Sequence, residues 1–255
     1  MKSKIAILTA LTFCLPFSSH AADGVRMAGV IFPPVVIDEG GNKLSGLYYD
    51  VMKEIAGRLG EKQELEIYPL QRLNEVGKTE KNVILTVGCN PTRVNDYRWL
   101  RAYGNDQMVL VTPKTRKGGA IDTYPKDLRI GVGIGSSMEV AAKAAGFTNL
   151  IPIRTEKSAA DMLAAGRLDG WVAYHGTAVY TFQQENMKAD DFEYSSPLTK
   201  AVYFIVASNE TPKEVSDKWG KAFDAIVADG TYDKYYQKYA SMVSPLGTSD
   251  ICVSK

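Results

Sequence analysis

The segment TVGCNPTRVNDYRWL, residues 86–100, carries a single guanidinium, Arg93, two residues past Pro91 and just ahead of Tyr97 and Trp99. An arginine offers two parallel N–H donors that match the two oxygens of a carboxylate, and partial desolvation strengthens such a pair. The same residue type also serves as a plain surface group bonded to loop carbonyls, and spacing alone does not choose between the two. A second candidate is GVGIGSSME, residues 131–139, in which glycines follow an apolar run and Ser136 and Ser137 open a helical pattern. Backbone N–H groups at a helix N-terminus favour an anion, and serine there is equally a stabilising cap. The glycine spacing invites comparison with a nucleotide-binding loop, but no Lys-Ser or Lys-Thr pair follows it, so it fails as a P-loop.

Other chemistries are short of residues. The first 23 residues, MKSKIAILTALTFCLPFSSHAAD, are laid out as a secretory signal peptide, with Lys2 and Lys4 ahead of an apolar run and small residues at Ser19 and Ala21. Cleavage is expected after Ala21. A lipid-attachment reading of Cys14 is opposed by bulky Phe13 in front of it. Removing Lys2 and Lys4 from the 30 basic residues leaves 28 against 29 acidic, a net charge of −1. That balance offers no footprint for nucleic acid and no polybasic surface for lipid. Only His175 remains of two histidines, and Cys89 and Cys252 of three cysteines, in no metal-ligand spacing. Neither a metal nor another cofactor is expected. In an oxidising compartment Cys89 and Cys252 can pair, but sequence does not say whether they meet.

The elements that must position these residues follow from hydrophobic periodicity. Residues 25–32 read as a strand stopped by Pro33-Pro34, and 51–59 as an amphipathic helix with Asp50 as N-cap and Gly60 as stop. Strands are predicted at 63–68 and 83–87 around a short helix at 70–77. A second cycle places strands at 108–111, 129–134, 150–153, 170–174 and 201–207, with helices at 137–145, 158–165 and 177–185. Helices at 213–228 and 232–240 close the chain. This order predicts an α/β protein with a mostly parallel sheet, in two lobes with a cleft between them.

The segments FPPVVIDEGGNKLSGLYYDVMKEIAGRLG, NPTR, DLRIGVGIGSSME, AADMLAAGRLDGWVAY and VADGTYDKYYQKY occur in an order that resembles bacterial extracellular solute-binding proteins of family 3, the amino-acid-binding proteins of ABC importers. The resemblance covers nearly the whole chain after the leader. It implies a type II periplasmic binding fold, two α/β lobes joined by a two-stranded hinge. Lobe 1 would span 22–105 and 203–255, lobe 2 would span 106–202, and 1–21 would be the signal peptide. It implies a monomer in the periplasm that binds without catalysis. Its partners would be a small carboxylate-bearing solute and an inner-membrane ABC permease, or alternatively a periplasmic sensor domain. An enzyme of the same fold, cyclohexadienyl dehydratase, is the third class, but no acid–base pair stands among the site candidates.

Residue by residue, the resemblance makes Arg93 the fork on the ligand carboxylate, with Asn90, Thr86 and Gly88 as polar neighbours on lobe 1. Ser136 and Ser137 would face it from lobe 2, and Phe32 and Tyr68 would wall it. The family's lobe 2 aspartate, which holds the α-ammonium, is replaced here by Tyr174, and its lobe 1 acid by Gly29. Asp169 matches a structural residue of the family. A buried ammonium without a counter-charge costs several kcal/mol, so the expected solute is a carboxylate whose amine is masked or absent, unless Asp106 or Glu139 supplies the missing charge. His175 is expected at a hinge or surface.

Overall fold

In the structure, a computed structural model, residues 24–89, 93–116, 118–133 and 135–244 are described. The first α/β cycle begins with β1 (Arg26–Gly29), the small hairpin β2 (Ile37–Asp38) and β3 (Leu44–Ser45), and α1 (Leu47–Leu59). β4 (Leu65–Ile67), α2 (Leu70–Thr79) and β5 (Val83–Gly88) complete it. In α1, Val51, Met52, Ile55 and Ala56 recur at helical spacing and are buried. Its cap departs from expectation. The helix starts at Gly46 rather than Asp50, because Asp50 lies inside the first turn, where its carboxylate accepts bonds from Lys238 and Tyr239. Gly46 has φ 115° and ψ 158°, and a Cβ there would sit 2.5 Å from the Val35 carbonyl oxygen. Gly60 ends the helix in the left-handed conformation, as its type suggests.

β6 (Tyr97–Pro113) then runs 17 residues without a break, where sequence periodicity suggested only 108–111. The second cycle follows with β7 (Ile130–Gly133), α3 (Ser137–Ala144), β8 (Leu150–Ile153), α4 (Glu156–Ala164), β9 (Gly170–Tyr174) and α5 (His175–Gln184). β10 (Phe192–Tyr194), β11 (Thr199–Ser208), α6 (Lys213–Ala228) and α7 (Thr231–Tyr239) end the described chain. Trp219, Phe223 and Ile226 on one stripe of α6 are at most 3% exposed and pack with α1 and α7 over the first half of the sheet. Each such side chain contributes about 1.5–3 kcal/mol by burial.

One nine-stranded sheet has the order β4-β1-β5-β11-β6-β9-β7-β8, with β10 added on β6. β4, β1 and β5 are mutually parallel, and so are β9, β7 and β8. Between the two trios β11 is antiparallel to β5 and β6, and β6 is antiparallel to β9. The expected parallel sheet is therefore two parallel trios joined by an antiparallel pair.

That register fixes where a site can be. Gly88, ending β5, pairs with Tyr203, which pairs with Gly104. Tyr174, ending β9, pairs with Met108. By their directions, β5 points forward along β6 and β9 points back along it, so the carboxyl ends of the trios face each other across residues 104–108. Four residues at roughly 3.3 Å each give a gap of about 13 Å. Carboxyl ends of parallel strands are where open α/β sheets hold ligands.

Gly46→Ala should lower stability by about 1–3 kcal/mol, since it meets both the positive φ and the Val35 carbonyl. A urea denaturation midpoint equal to that of the unsubstituted protein would show that the turn has another conformation.

Candidate functional site

A cavity of ≈ 50 Å³ lies at the carboxyl ends of the second trio and reaches across to the first half. Ile153, Trp171 and Ala173 line its inner part, all three buried in the core beneath α4 and α5. Met138, Tyr174 and Phe32 line it toward the gap. Trp171 and Ala173 fall on the same face of β9 because strand side chains alternate, whereas Tyr174, at the strand's end, turns toward the gap. Phe32, on the turn after β1, stands edge-on to Tyr174 at 5.4 Å and to Tyr203 at 6.1 Å between ring centres. One phenyl ring thus touches the second trio and the connecting strand at once.

The expected residues separate into three sets. Phe32 and Tyr174 line the cavity. Tyr174 is half-buried, its hydroxyl hydrogen-bonds the Ser137 side chain, and burial raises its pKa. Gly88 is exposed with no heavy atom within 4 Å of a built Cβ, so its backbone borders open space at the end of β5. Arg93 is half-buried, and its Nη1 donates to Asn74 Oδ1 at 3.1 Å, an oxygen that Tyr97 also approaches at 3.3 Å. No carboxylate pairs with Arg93 among the described residues.

In the second set each side chain already has hydrogen-bond partners within the fold. Thr86 is 6% exposed and shares a 2.6 Å hydrogen bond with the Tyr103 hydroxyl, so its side chain faces the core rather than the gap. Tyr68 hydrogen-bonds both Arg26 and Glu66 in an ion cluster on the outer strand. Ser136 caps α3: its hydroxyl accepts from Glu139 N at 3.3 Å and donates to the Gly133 carbonyl at 2.6 Å. The Glu139 carboxylate accepts from Gly135 N at 2.7 Å and pairs with Lys143 at 2.6 Å. Part of the anion-favouring helix end is thus filled by the protein's own acid, whose two oxygens each already accept one bond.

The third set lies outside the described residues: Asn90 and Cys252. Cys89 is disulfide-bonded, and its N–H donates to the Val202 carbonyl at 2.7 Å. Asp169 forms a forked pair with Arg129 at 2.9 and 3.0 Å, which holds its pKa at about 2.

Asp106 sits in the middle of the gap's floor, opposite Ala201. Its carboxylate is 5% exposed and accepts from Gln107 N at 2.7 Å, Gly176 N at 3.3 Å and the Tyr203 hydroxyl at 3.1 Å. The His175 backbone N–H adds a further bond. Burial outweighs these donors and raises the carboxyl to about 6. Around it the first turn of α5 closes on the first half. Thr177 Oγ1 donates to the Pro33 carbonyl at 2.9 Å, and a Cβ on Gly176 would come within 2.4 Å of the Met242 carbonyl oxygen. Only glycine allows that approach. His175 is half-buried at this junction, its ring 4.8 Å from Tyr194, and burial lowers its pKa.

Sequence reasoning missed Met138, Ile153, Trp171, Ala173 and Thr177. Ile153 and its successors end β8, so the rule that sites gather at carboxyl ends of parallel strands could have found that corner once strand order was known.

A model of the family described as "Bacterial extracellular solute-binding proteins, family 3" matches residues 26–242. Comparison with curated protein sequences finds no match. Among solved structures, "An ancestral arginine-binding protein bound to glutamine" is 23% identical at TM-score 0.67, covering 86% of this chain and 98% of its own. An ABC uptake transporter substrate-binding protein from Streptococcus pneumoniae with bound histidine is 15% identical at TM-score 0.70, covering 86% and 94%. A histidine kinase sensor domain with similarity to periplasmic binding proteins is 14% identical at TM-score 0.72, covering 87% and 98%.

Because the raised carboxyl of Asp106 favours its protonated form in the folded state, stability is greatest below the ordinary pKa and is lost as pH rises through about 6. The loss should total about 3 kcal/mol from well below pH 4 to well above pH 6, about 2 kcal/mol of it between those two values, since each pKa unit is worth about 1.4 kcal/mol. Asp106→Asn should flatten that slope in urea denaturation series. Parallel profiles for the two proteins would remove Asp106 as the cause.

Proposed function

Since the chain belongs to the bacterial extracellular solute-binding proteins, family 3, we propose that it captures a small carboxylate-bearing solute, an amino acid, derivative or organic acid, between its two halves. It delivers that solute to an inner-membrane ABC importer from the periplasm, after export through residues 1–21. The lobes are taken as 22–105 with 203–255, and 106–202. The supporting topology is that, among the described residues, the chain passes between the trios on two strands, at Gly104–Met108 of β6 and Thr199–Tyr203 of β11.

The observation that carries the reading is Arg93. It follows the carboxyl end of β5 in the chain and is half-buried, and its guanidinium has one neutral hydrogen bond and no acid partner among the described residues. An incoming carboxylate meets a guanidinium with N–H groups to offer, in surroundings drier than bulk water. The acids that could instead hold an ammonium are engaged: Asp106 by four donors, Glu139 by Lys143 and Gly135, and Asp169 by Arg129. This favours a solute whose amine is masked or absent. The protein acts by binding, with closure of the halves as its motion and no catalytic step. A sensor partner in place of a permease is the second reading, consistent with the same fold in a kinase sensor domain.

A thermal-shift screen over amino acids, their N-acyl derivatives and small carboxylates should find a ligand that raises the melting temperature. At about 100 times its dissociation constant the gain is about 2.7 kcal/mol. Arg93→Ala should lose that shift while its unliganded melting temperature stays near that of the parent. Unchanged binding by the variant would dismiss the clamp, and tight binding of free amino acids alone would dismiss the masked amine.

A further inference from the structure

The carboxylate clamp addresses one end of a solute; the cavity addresses the other. It lies on the opposite half from Arg93 and opens at Phe32 and Tyr174 toward the gap. Its inner walls are hydrocarbon and indole: Trp171 and Ala173 are 2% exposed and Ile153 is 8%. None of these three brings an acceptor or a charge to the cavity through its side chain. The charged segment Arg154–Glu156 borders the cavity but is exposed to solvent. A cavity of ≈ 50 Å³ accommodates roughly three or four water-sized groups, at about 10–15 Å³ for each. A charged group placed against Ile153, Trp171 and Ala173 would lose hydration with no counter-charge from those three side chains, whereas Arg154, Thr155, Glu156 and Thr177 line the remainder.

Resting on the reading that a carboxylate is captured in the gap, we infer that this cavity is a subsite for a short apolar tail of the same solute. The ligand class is thereby narrowed to monoacids with a small aliphatic end, of about three or four carbons beyond the portion that spans the gap. A charged end seated at the inner wall is disfavoured by desolvation, and a large aromatic one by the cavity's volume. Ala173 and Met138 set the depth and the width. A larger residue at Ala173 fills the inner end, whereas truncating Met138, which is only half-buried, widens the entrance without opening the core.

The test is isothermal titration of the purified protein with straight-chain carboxylic acids from acetate to decanoate, probes that differ only in methylene count. Affinity should rise about four-fold for each methylene that enters the cavity, over three or four successive members, and then stop or fall. Ala173→Val should move the optimum to shorter acids and Met138→Ala to longer ones. Should the valine variant fail to fold, the alanine variant decides alone. Affinity that is flat in tail length, or an optimum that neither variant moves, overturns the subsite and leaves capture in the gap standing. Binding by no member overturns the subsite for simple aliphatic acids and leaves capture in the gap to the wider thermal-shift screen. Chain-length selection that survives Arg93→Ala supports the subsite while rejecting the clamp.

Discussion

The architecture depends on one antiparallel strand pair. β6 and β11 stay in register from Tyr97 opposite Ser208 to Met108 opposite Thr199, apart from irregularities at Tyr203/Phe204 and Ile205/Val206. Each trio of parallel strands is anchored to this pair from one side, β5 on β11 and β9 on β6. Backbone hydrogen bonding therefore decides that the two sets of carboxyl ends point at each other. Loops elsewhere can vary without altering that opposition, whereas a one-residue slip between β6 and β11 would turn the side chains of the slipped strand to the opposite face.

The centre of the pair carries the least comfortable group in the molecule. A carboxylate buried to the degree of Asp106 is unfavourable, and its raised pKa shows that its donors do not fully compensate. What it provides is cohesion between elements far apart in sequence. It accepts from the first turn of α5 and from Tyr203 on β11 while standing on β6. The Tyr203 ring also touches Phe32 and stacks on Tyr103, whose hydroxyl reaches Thr86. Polar and aromatic contacts thus run continuously from the cavity wall through the connecting strands into β5.

Much of the element order was legible because periodicity reports burial directly. α6 falls at 213–228 as its apolar stripe predicts, and β8 at 150–153. The first half of β6 was not legible, since YRWLRAYGN alternates poorly: Arg98, Trp99, Leu100 and Arg101 are all only half-buried, with each Arg reaching back to α6 or the segment before it. Site residues divided along similar lines. Phe32 and Tyr174 could be placed by resemblance, but Thr86, Ser136 and Tyr68 carry polar atoms whose partners, Tyr103, Gly133 and Arg26, are set by tertiary packing that no local pattern encodes. Trp171 and Ala173 read as ordinary core residues. Their role as cavity walls arises from imperfect filling between β9, α4 and α5, which composition does not register.

Selectivity in such a gap can arise from removing options as well as from adding contacts. The chain has balanced charge overall, so no long-range field chooses the solute. Choice falls to which groups remain unsatisfied once the fold has formed. Asp106, Glu139 and Asp169 each have donors or cations in place, which an ammonium would have to share. Arg93 has a neutral amide as its only hydrogen-bond partner among the described residues. Exchanging that amide for a carboxylate strengthens the interaction, because charge-assisted bonds are roughly twice as strong as neutral ones. On the proposed reading, that exchange is what would turn the gap's choice toward an acid.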